Sequence, residues 1–261
     1  MIVDAHTHIF EAGVGGPFNL HCTSDDLLRE MDQRGVASAV VLPLAGTAGN
    51  DFVHAQCARS AGRLVGLYNP DFTRPAETVR AMESFFEIHS PKGLKIHPRQ
   101  QGVTADDPVV RDVLCWASER DVPVLFDVFP HGHSLDDARL GPLAYHRLAQ
   151  DMPRLRIVLG HAGGYRLHEA FMVAKSNPNI FLDISFTPVY FKNSSLAADC
   201  AFVCRRLPPG RVVYGSDFPH VPFGESLATV ESLLDGIDAA AREAIMGTAA
   251  CSLYAIATRE S

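Results

Sequence analysis

The sequence predicts an α/β protein, a (β/α)8 TIM barrel spanning residues 1–261 as a single domain. Three observations lead there. Eight short apolar runs recur along the chain. Helical patterns fill most of the gaps between them. Polar residues with catalytic potential stand at the ends of six of the runs.

The runs are 2–6 (IVDAH), 38–44 (SAVVLPL), 64–68 (LVGLY), 93–97 (GLKIH), 123–128 (PVLFDV), 156–161 (RIVLGH), 180–185 (IFLDIS) and 212–217 (VVYGSD). They are mostly continuous and rich in Val, Ile and Leu, as parallel strands covered on both faces are. Between them, Ser24 to Gly35 carries a Ser or Asp cap, acidic residues in its first turn and Gly at its end, the marks of a helix. Stretches 74–88, 107–120, 140–152 and 226–234 read similarly. Strand and helix in alternation make a parallel sheet, and eight such units in about 250 residues fit a barrel. The rival is a doubly wound open sheet. It lacks support because the Gly-rich loop after the first strand, GVGGPF at 13–18, has the wrong spacing for a phosphate loop.

Composition narrows the function classes. The net charge is -7 and no basic patch stands out, which argues against nucleic acid as a partner. The six cysteines form no C-x-x-C framework and read as reduced thiols of a cytosolic protein. Cys200 and Cys204 lie one helical turn apart but lack nearby histidines, so they make a poor zinc pair. Asp4 and the first histidines interrupt any apolar signal-peptide core, and no run approaches the ~20 apolar residues of a membrane span. A cytoplasmic protein acting on a small molecule, with no membrane or nucleic-acid partner, is expected.

The stretch VDAHTHIF carries the first chemical signal. Side chains two apart on a strand share a face, so His6 and His8 aim at one point, as metal-ligating imidazoles do. Lys95 and His97 end the fourth run, Asp127 lies late in the fifth, His161 ends the sixth, Asp183 lies late in the seventh and Asp217 ends the eighth. In a barrel these ends open on one face. Charges inside apolar strands cost several kcal/mol unless paired or bound to metal. Asp183 reads as structural, bonded to a neighbouring strand end. His54, His89, His146 and His168 read as surface residues, and His168–Glu169 lacks the second histidine of a zinc-protease helix.

DAHTH, GLKIHP, VLGHAGG and YGSDFPH, in that order, resemble the signature set of the amidohydrolase superfamily. The resemblance is strongest to its amidohydrolase-2 branch, which includes the aminocarboxymuconate semialdehyde decarboxylase relatives. It implies one or two divalent ions at the barrel mouth. His6 and His8 would be ligands, and Asp217 a ligand that also accepts a proton from the attacking water. His161 would activate water or polarise substrate. Lys95 matches the lysine that two-metal members carbamylate; in this branch it would bind a substrate carboxylate. One divalent ion is expected, zinc first and manganese as its rival, with small molecules as substrates. Dimers are common in the branch, so a homodimer is expected.

One motif departs. The branch usually places a histidine ligand at the end of the fifth strand; here PVLFDVFPHGH puts Asp127 in register. Asp127 would then bind the ion or support a ligand, or His131 or His133 would reach back. Arg99 and Arg166 are candidates for a carboxylate clamp beside Lys95 and His97. The loops 129–141, 185–195 (with Tyr190, Phe191 and Lys192) and 11–19 form the expected pocket wall. The function expected is a metal-dependent hydrolase of a small carboxylated lactone, ester or amide. The alternatives are a non-oxidative decarboxylase or hydratase, a metal-free lactonase, or a barrel retained only for binding.

Overall fold

Eight parallel strands close a barrel in the computed structural model, which describes residues 1–11, 13–15, 19–44, 46–132 and 135–257. They are β1 (Ile2–Thr7), β2 (Val36–Val41), β3 (Leu64–Gly66), β4 (Leu94–Ile96), β5 (Val124–Asp127), β6 (Ile157–Gly160), β7 (Ile180–Asp183) and β8 (Val212–Val213). Strands β1 to β3 form one sheet and β4 to β8 another. Two seams join them. Tyr68 bridges to Leu94 between β3 and β4, and Thr7 bridges to Phe218 just beyond β8. At the second seam, Ala5 N–H donates to Tyr214 O at 2.9 Å and Asp217 N–H to His6 O at 2.8 Å.

Each strand is followed by a helix: α1 (Ser24–Arg34), α2 (Asn50–Arg59), α3 (Pro75–His89), α4 (Pro108–Glu119), α5 (Ala144–Asp151), α6 (Leu167–Ser176), α7 (Ser195–Arg206) and α8 (Phe223–Leu233). Helices α2, α6 and α7 were not marked by the sequence pattern. In α2 only Val53 and His54 are buried, too little to make an apolar stripe. The cap of α1 is Thr23, one residue before the expected position. Its hydroxyl accepts from Asp26 N at 3.1 Å while Asp26 Oδ2 accepts from Thr23 N at 2.9 Å. Gly35 ends the helix with φ +66°, a left-handed conformation that glycine adopts without penalty.

The period of two sorts the strand residues. Leu94, Ile96, Val124 and Phe126 pack outward against the helices, while Lys95 and Leu125 point the other way. Val3, Ala5, Leu42, Leu125 and Val213 form an inner floor with Ala250, Leu253 and Tyr254 of the terminal helix Ala249–Tyr254. A Cβ on Gly247 would collide with the Met1 carbonyl, so this segment sits tightly under the start of β1. The floor therefore closes the N-terminal end, and the polar strand ends are left at the other. Among the described residues no helix is long and apolar enough to cross a membrane.

Candidate active site

His161, Asp217 and Phe186 follow β6, β8 and β7, and all three have positive φ (+56°, +62° and +61°). Non-glycine residues pay for this conformation, and such strain clusters at functional sites. Here it turns the chain sharply off the strand end.

His6 and His8 converge as the strand alternation predicts. Their Nε2 atoms lie 3.4 and 3.3 Å from the same oxygen, Asp217 Oδ1. Their other nitrogens fix the tautomers. His6 Nδ1 lies 2.5 Å from Asp183 Oδ2, and His8 Nδ1 lies 3.1 Å from the Leu42 carbonyl oxygen. Each Nδ1–H donates, so each Nε2 turns a lone pair toward a carboxylate oxygen. Burial lowers the His6 pKa and pushes His8 down to about 3, so both imidazoles are neutral. Asp217 sits well below the usual carboxylate range: burial alone would raise it, but the surrounding imidazoles of His220, His8, His161 and His6 outweigh that. Each imidazole lone pair set against a carboxylate oxygen calls for a cation, and His6 Nε2 is a buried atom with no hydrogen-bond partner. The backbone- and carboxylate-oriented imidazoles are the usual supports of a metal ion. The residues present fit a divalent ion.

The other half of the mouth is organised around Asp127. Its Oδ2 lies 3.1 Å from His161 Nε2, 3.4 Å from His97 Nε2 and 3.9 Å from Lys95 Nζ. Burial would raise the Asp127 pKa, but His97, His161 and Lys95 together hold it well below its usual value. Burial lowers Lys95 and pushes His97 down to about 4. For His161 burial is outweighed by the hydrogen bond to Asp127 and the surrounding carboxylates, and its pKa rises. Fully buried Ser185 completes the arrangement, with Oγ 2.9 Å from His161 Nδ1, 3.1 Å from His6 Nδ1 and 2.9 Å from Asp183 Oδ2. His161 Nδ1–H donates to Ser185 Oγ, whose own hydrogen goes to Asp183. Both His161 nitrogens are thus engaged. Among the described residues two groups are able to hold an ion, His6–His161–Asp217 and His8–Asp217–His220. Asp127 is in neither; its carboxylate faces the bases.

The family model described as Amidohydrolase (Amidohydro_2) matches residues 3–256. The chain belongs to the amidohydrolase family, and it is an enzyme. No curated protein gives a significant match. Solved structures share the fold at low identity. An uncharacterised TIM-barrel protein of Bordetella bronchiseptica is 18% identical with a TM-score of 0.81, over 97% of this chain and 98% of that one. A probable 2-pyrone-4,6-dicarboxylic acid hydrolase of Acinetobacter baumannii, with citric acid bound, is 12% identical with a TM-score of 0.75, over 97% and 99%. The 5-carboxyvanillate decarboxylase of Sphingomonas paucimobilis is 17% identical with a TM-score of 0.72, over 98% and 99%.

The remaining expected residues of this amidohydrolase separate into two sets. Arg99 is half-buried beside Lys95 and His97, whose pKa values its charge lowers, and its Nε is buried without a hydrogen-bond partner. Arg166 is not brought to the cluster. Its guanidinium donates to the Leu135 carbonyl at 2.7 Å and to Tyr165 Oη at 3.2 Å, pinning the loop after β5. His131 is exposed on that loop, and His133 lies outside the described residues, as do 12 and 16–18 of the loop after β1. His54, expected at the surface, is buried: its Nε2 meets the Leu67 carbonyl oxygen at 3.0 Å, and its ring packs on Phe85. His146 is half-buried and pairs with Asn177; His89 and His168 are exposed.

The walls are aromatic. Phe129 after β5 packs edge-on against Phe186 and Tyr190 after β7, and Phe186 stacks on Tyr190 at 5.1 Å. Phe129 and Phe186 each lie 5.9 Å from the His161 ring. Lys192 points away, toward Glu225 at 3.4 Å. Sequence reading gave no individual role to three contributors: Ser185 and Phe186, inside the loop it read as pocket wall, and His220. His220 stood within the YGSDFPH motif, three residues after Asp217, and that spacing was its only signal.

Proposed function

We propose that this amidohydrolase is a metal-dependent hydrolase of small, planar, carboxylated lactones or esters. The observation that carries the reading is the convergence of the His6 and His8 Nε2 atoms on Asp217 Oδ1, beside a His161 whose pKa the hydrogen bond to Asp127 raises against burial. A divalent ion held around Asp217, zinc by its nitrogen-rich donors and manganese as the rival, would polarise a carbonyl and acidify water. Asp217 takes a proton from the attacking water as the new C–O bond forms. His161 gives its proton to the leaving oxygen as the old C–O bond breaks. Asp127 and Ser185 hold His161 in place and charged for that step.

Recognition follows from the neighbouring groups. Lys95 and Arg99 form a basic side suited to a carboxylate, with His97, pushed down to about 4 by burial, as a neutral imidazole beside them. Phe129, Phe186 and Tyr190 form a flat apolar side suited to a conjugated ring. Two structural neighbours, a probable 2-pyrone-4,6-dicarboxylic acid hydrolase and a 5-carboxyvanillate decarboxylase, are both named for carboxylated compounds. The second reading is a non-oxidative decarboxylase. The raised pKa of His161 among the aromatic rings favours it, because a proton delivered from it to a ring carbon would replace carbon dioxide.

The test is a screen of carboxylated lactones, esters and aromatic acids with the zinc- and manganese-loaded protein. Ring opening that disappears in His6→Ala and Asp217→Asn, both folded, supports the hydrolase. Carbon dioxide release without ester or lactone turnover replaces it with the decarboxylase. Normal turnover in either variant overturns the site.

A further inference from the structure

The turn after β8 carries a buried histidine that strand alternation does not account for. His220 follows Asp217 by three residues, and its side chain is 10% exposed. Hydrogen bonds sew this turn to β1. His8 N–H donates to Phe218 O at 2.8 Å, and Phe218 N–H donates to Ser216 Oγ at 2.9 Å. The His220 ring is therefore held against the His8 ring, edge-on with centroids 5.3 Å apart at 86°.

Both rings address the same oxygen. His8 Nε2 lies 3.3 Å and His220 Nδ1 3.7 Å from Asp217 Oδ1, and the donor atoms of the three residues all lie within 4.8 Å of one another. A tetrahedral ion with bonds of about 2.1 Å sets its ligand atoms about 3.4 Å apart. The two measured separations match edges of such a polyhedron. The tautomer of His8 is also settled, since the Leu42 carbonyl oxygen takes its Nδ1 hydrogen and leaves the Nε2 lone pair facing Asp217. Of the competing donors, His161 uses both nitrogens on Asp127 and Ser185, and Asp127 faces three bases. His6 Nε2 lies 3.4 Å from Asp217 Oδ1 but groups with His161, not with His8 and His220.

We propose that His220 Nδ1 is a metal ligand, joining His8 Nε2 and Asp217 Oδ1 in a triad at the seam of β1 and β8. The inference rests on the metal-dependent reading of the site given above. A ligand from the β8 turn takes the place of the one that β5 does not supply, and Asp127 is left to charge and orient His161. Three protein ligands leave a position open to substrate, the arrangement of catalytic zinc sites.

Cobalt(II) tests this without any substrate. The wild type, His220→Ala, Asp127→Asn and His220→Cys are stripped and titrated with Co2+, with circular dichroism confirming the fold of each. Loss of an outer support typically weakens metal binding by 10–100-fold, so loss of a ligand is expected to weaken it at least 100-fold in His220→Ala. Asp127→Asn is expected to bind within about threefold of the wild type. In His220→Cys the sulfur stands close to where Nδ1 stood, and a longer metal–sulfur bond makes up part of the difference. A thiolate-to-cobalt charge-transfer band in the near ultraviolet then shows directly that residue 220 reaches the ion. Wild-type affinity in His220→Ala, or bound Co2+ without the band in His220→Cys, overturns the proposal while leaving a metal enzyme. Failure of the wild type itself to bind Co2+, zinc or manganese overturns both.

Discussion

Asp127 stands where the resemblance implies a histidine ligand, and its carboxylate faces bases instead. A histidine there would add a neutral donor; the carboxylate instead meets His161, His97 and Lys95 within 3.9 Å. The consequence is kinetic. Asp127→Asn keeps the shape but removes the charge that sustains protonated His161, and general-acid assistance is worth about 10²–10⁴-fold. We expect kcat on the best lactone or ester to fall at least 100-fold while the bound metal, measured by plasma mass spectrometry, stays at the wild-type level. Metal lost with activity would instead make Asp127 a ligand. At this scale the sequence was legible where a residue's role follows from its strand. His6, His8, His161 and Asp217 all stand at strand ends, and period-two alternation points them at the mouth. Ser185 and His220 were not legible, because serine and histidine in a turn acquire a role only from what folding sets beside them. The ligand question at Asp127 was left open by the sequence for the same reason: a carboxylate serves an ion or a base equally well, and only its three-dimensional neighbours, His161, His97 and Lys95, favour the second.

Elements decide the shape of the mouth and the margins of stability. The strands could be read because Val, Ile and Leu run continuously in them, whereas α2 could not, since it buries little and is punctuated by no strong cap. In the loop after β7, Tyr190 is 64% exposed yet stacks on Phe186, an arrangement suited to a second flat ring. An aromatic contact is worth about 0.5–1.5 kcal/mol. Tyr190→Ala should therefore raise KM for ring substrates up to about 10-fold and leave kcat within about twofold; equal KM values would remove the loop from the pocket. Helix α1 carries a pH-dependent cap. Hydrogen bonds from the Thr23 backbone and hydroxyl hold Asp26 down at about 2, below its ordinary 3.8. A carboxylate depressed on folding stabilises above its unfolded pKa, and that stability drains as the pH falls through the folded one. Asp26→Asn should cost about 1 kcal/mol at pH 7, with the deficit shrinking from pH 4 toward pH 2. Urea unfolding across that range checks it; a deficit that does not shrink would make the loss one of packing.

The molecule as a whole divides its labour between two ends of one barrel. The mouth concentrates Asp127, Asp183 and Asp217 with buried bases, a costly collection in a medium of low polarity. The opposite end is built on an apolar cluster, with β1, β2, β5 and β8 contributing to a floor sealed by Leu253 and Tyr254. The strands that hold His6, His8 and Asp217 are the same ones the floor clamps, and β8 is only two residues long. Much of the seam's cohesion must therefore come from beneath. The backbone bond from Tyr214 N–H to the Ile245 carbonyl, 2.9 Å, ties the last strand to the terminal segment directly. Leu253→Ala opens a cavity in this floor, and such truncations cost about 2–5 kcal/mol. At roughly 2–4 °C per kcal/mol for a chain of this size, Tm should fall by about 5–15 °C. The mouth residues are not part of this apolar cluster, so below the transition the variant should bind metal and turn over substrate as the wild type does. Thermal denaturation with activity measured at 20 °C checks both halves. A lowered Tm with full activity would show that stability and chemistry occupy separate ends. A loss of metal at 20 °C would show that the floor sets the spacing of β1 and β8 on which His6, His8 and Asp217 depend.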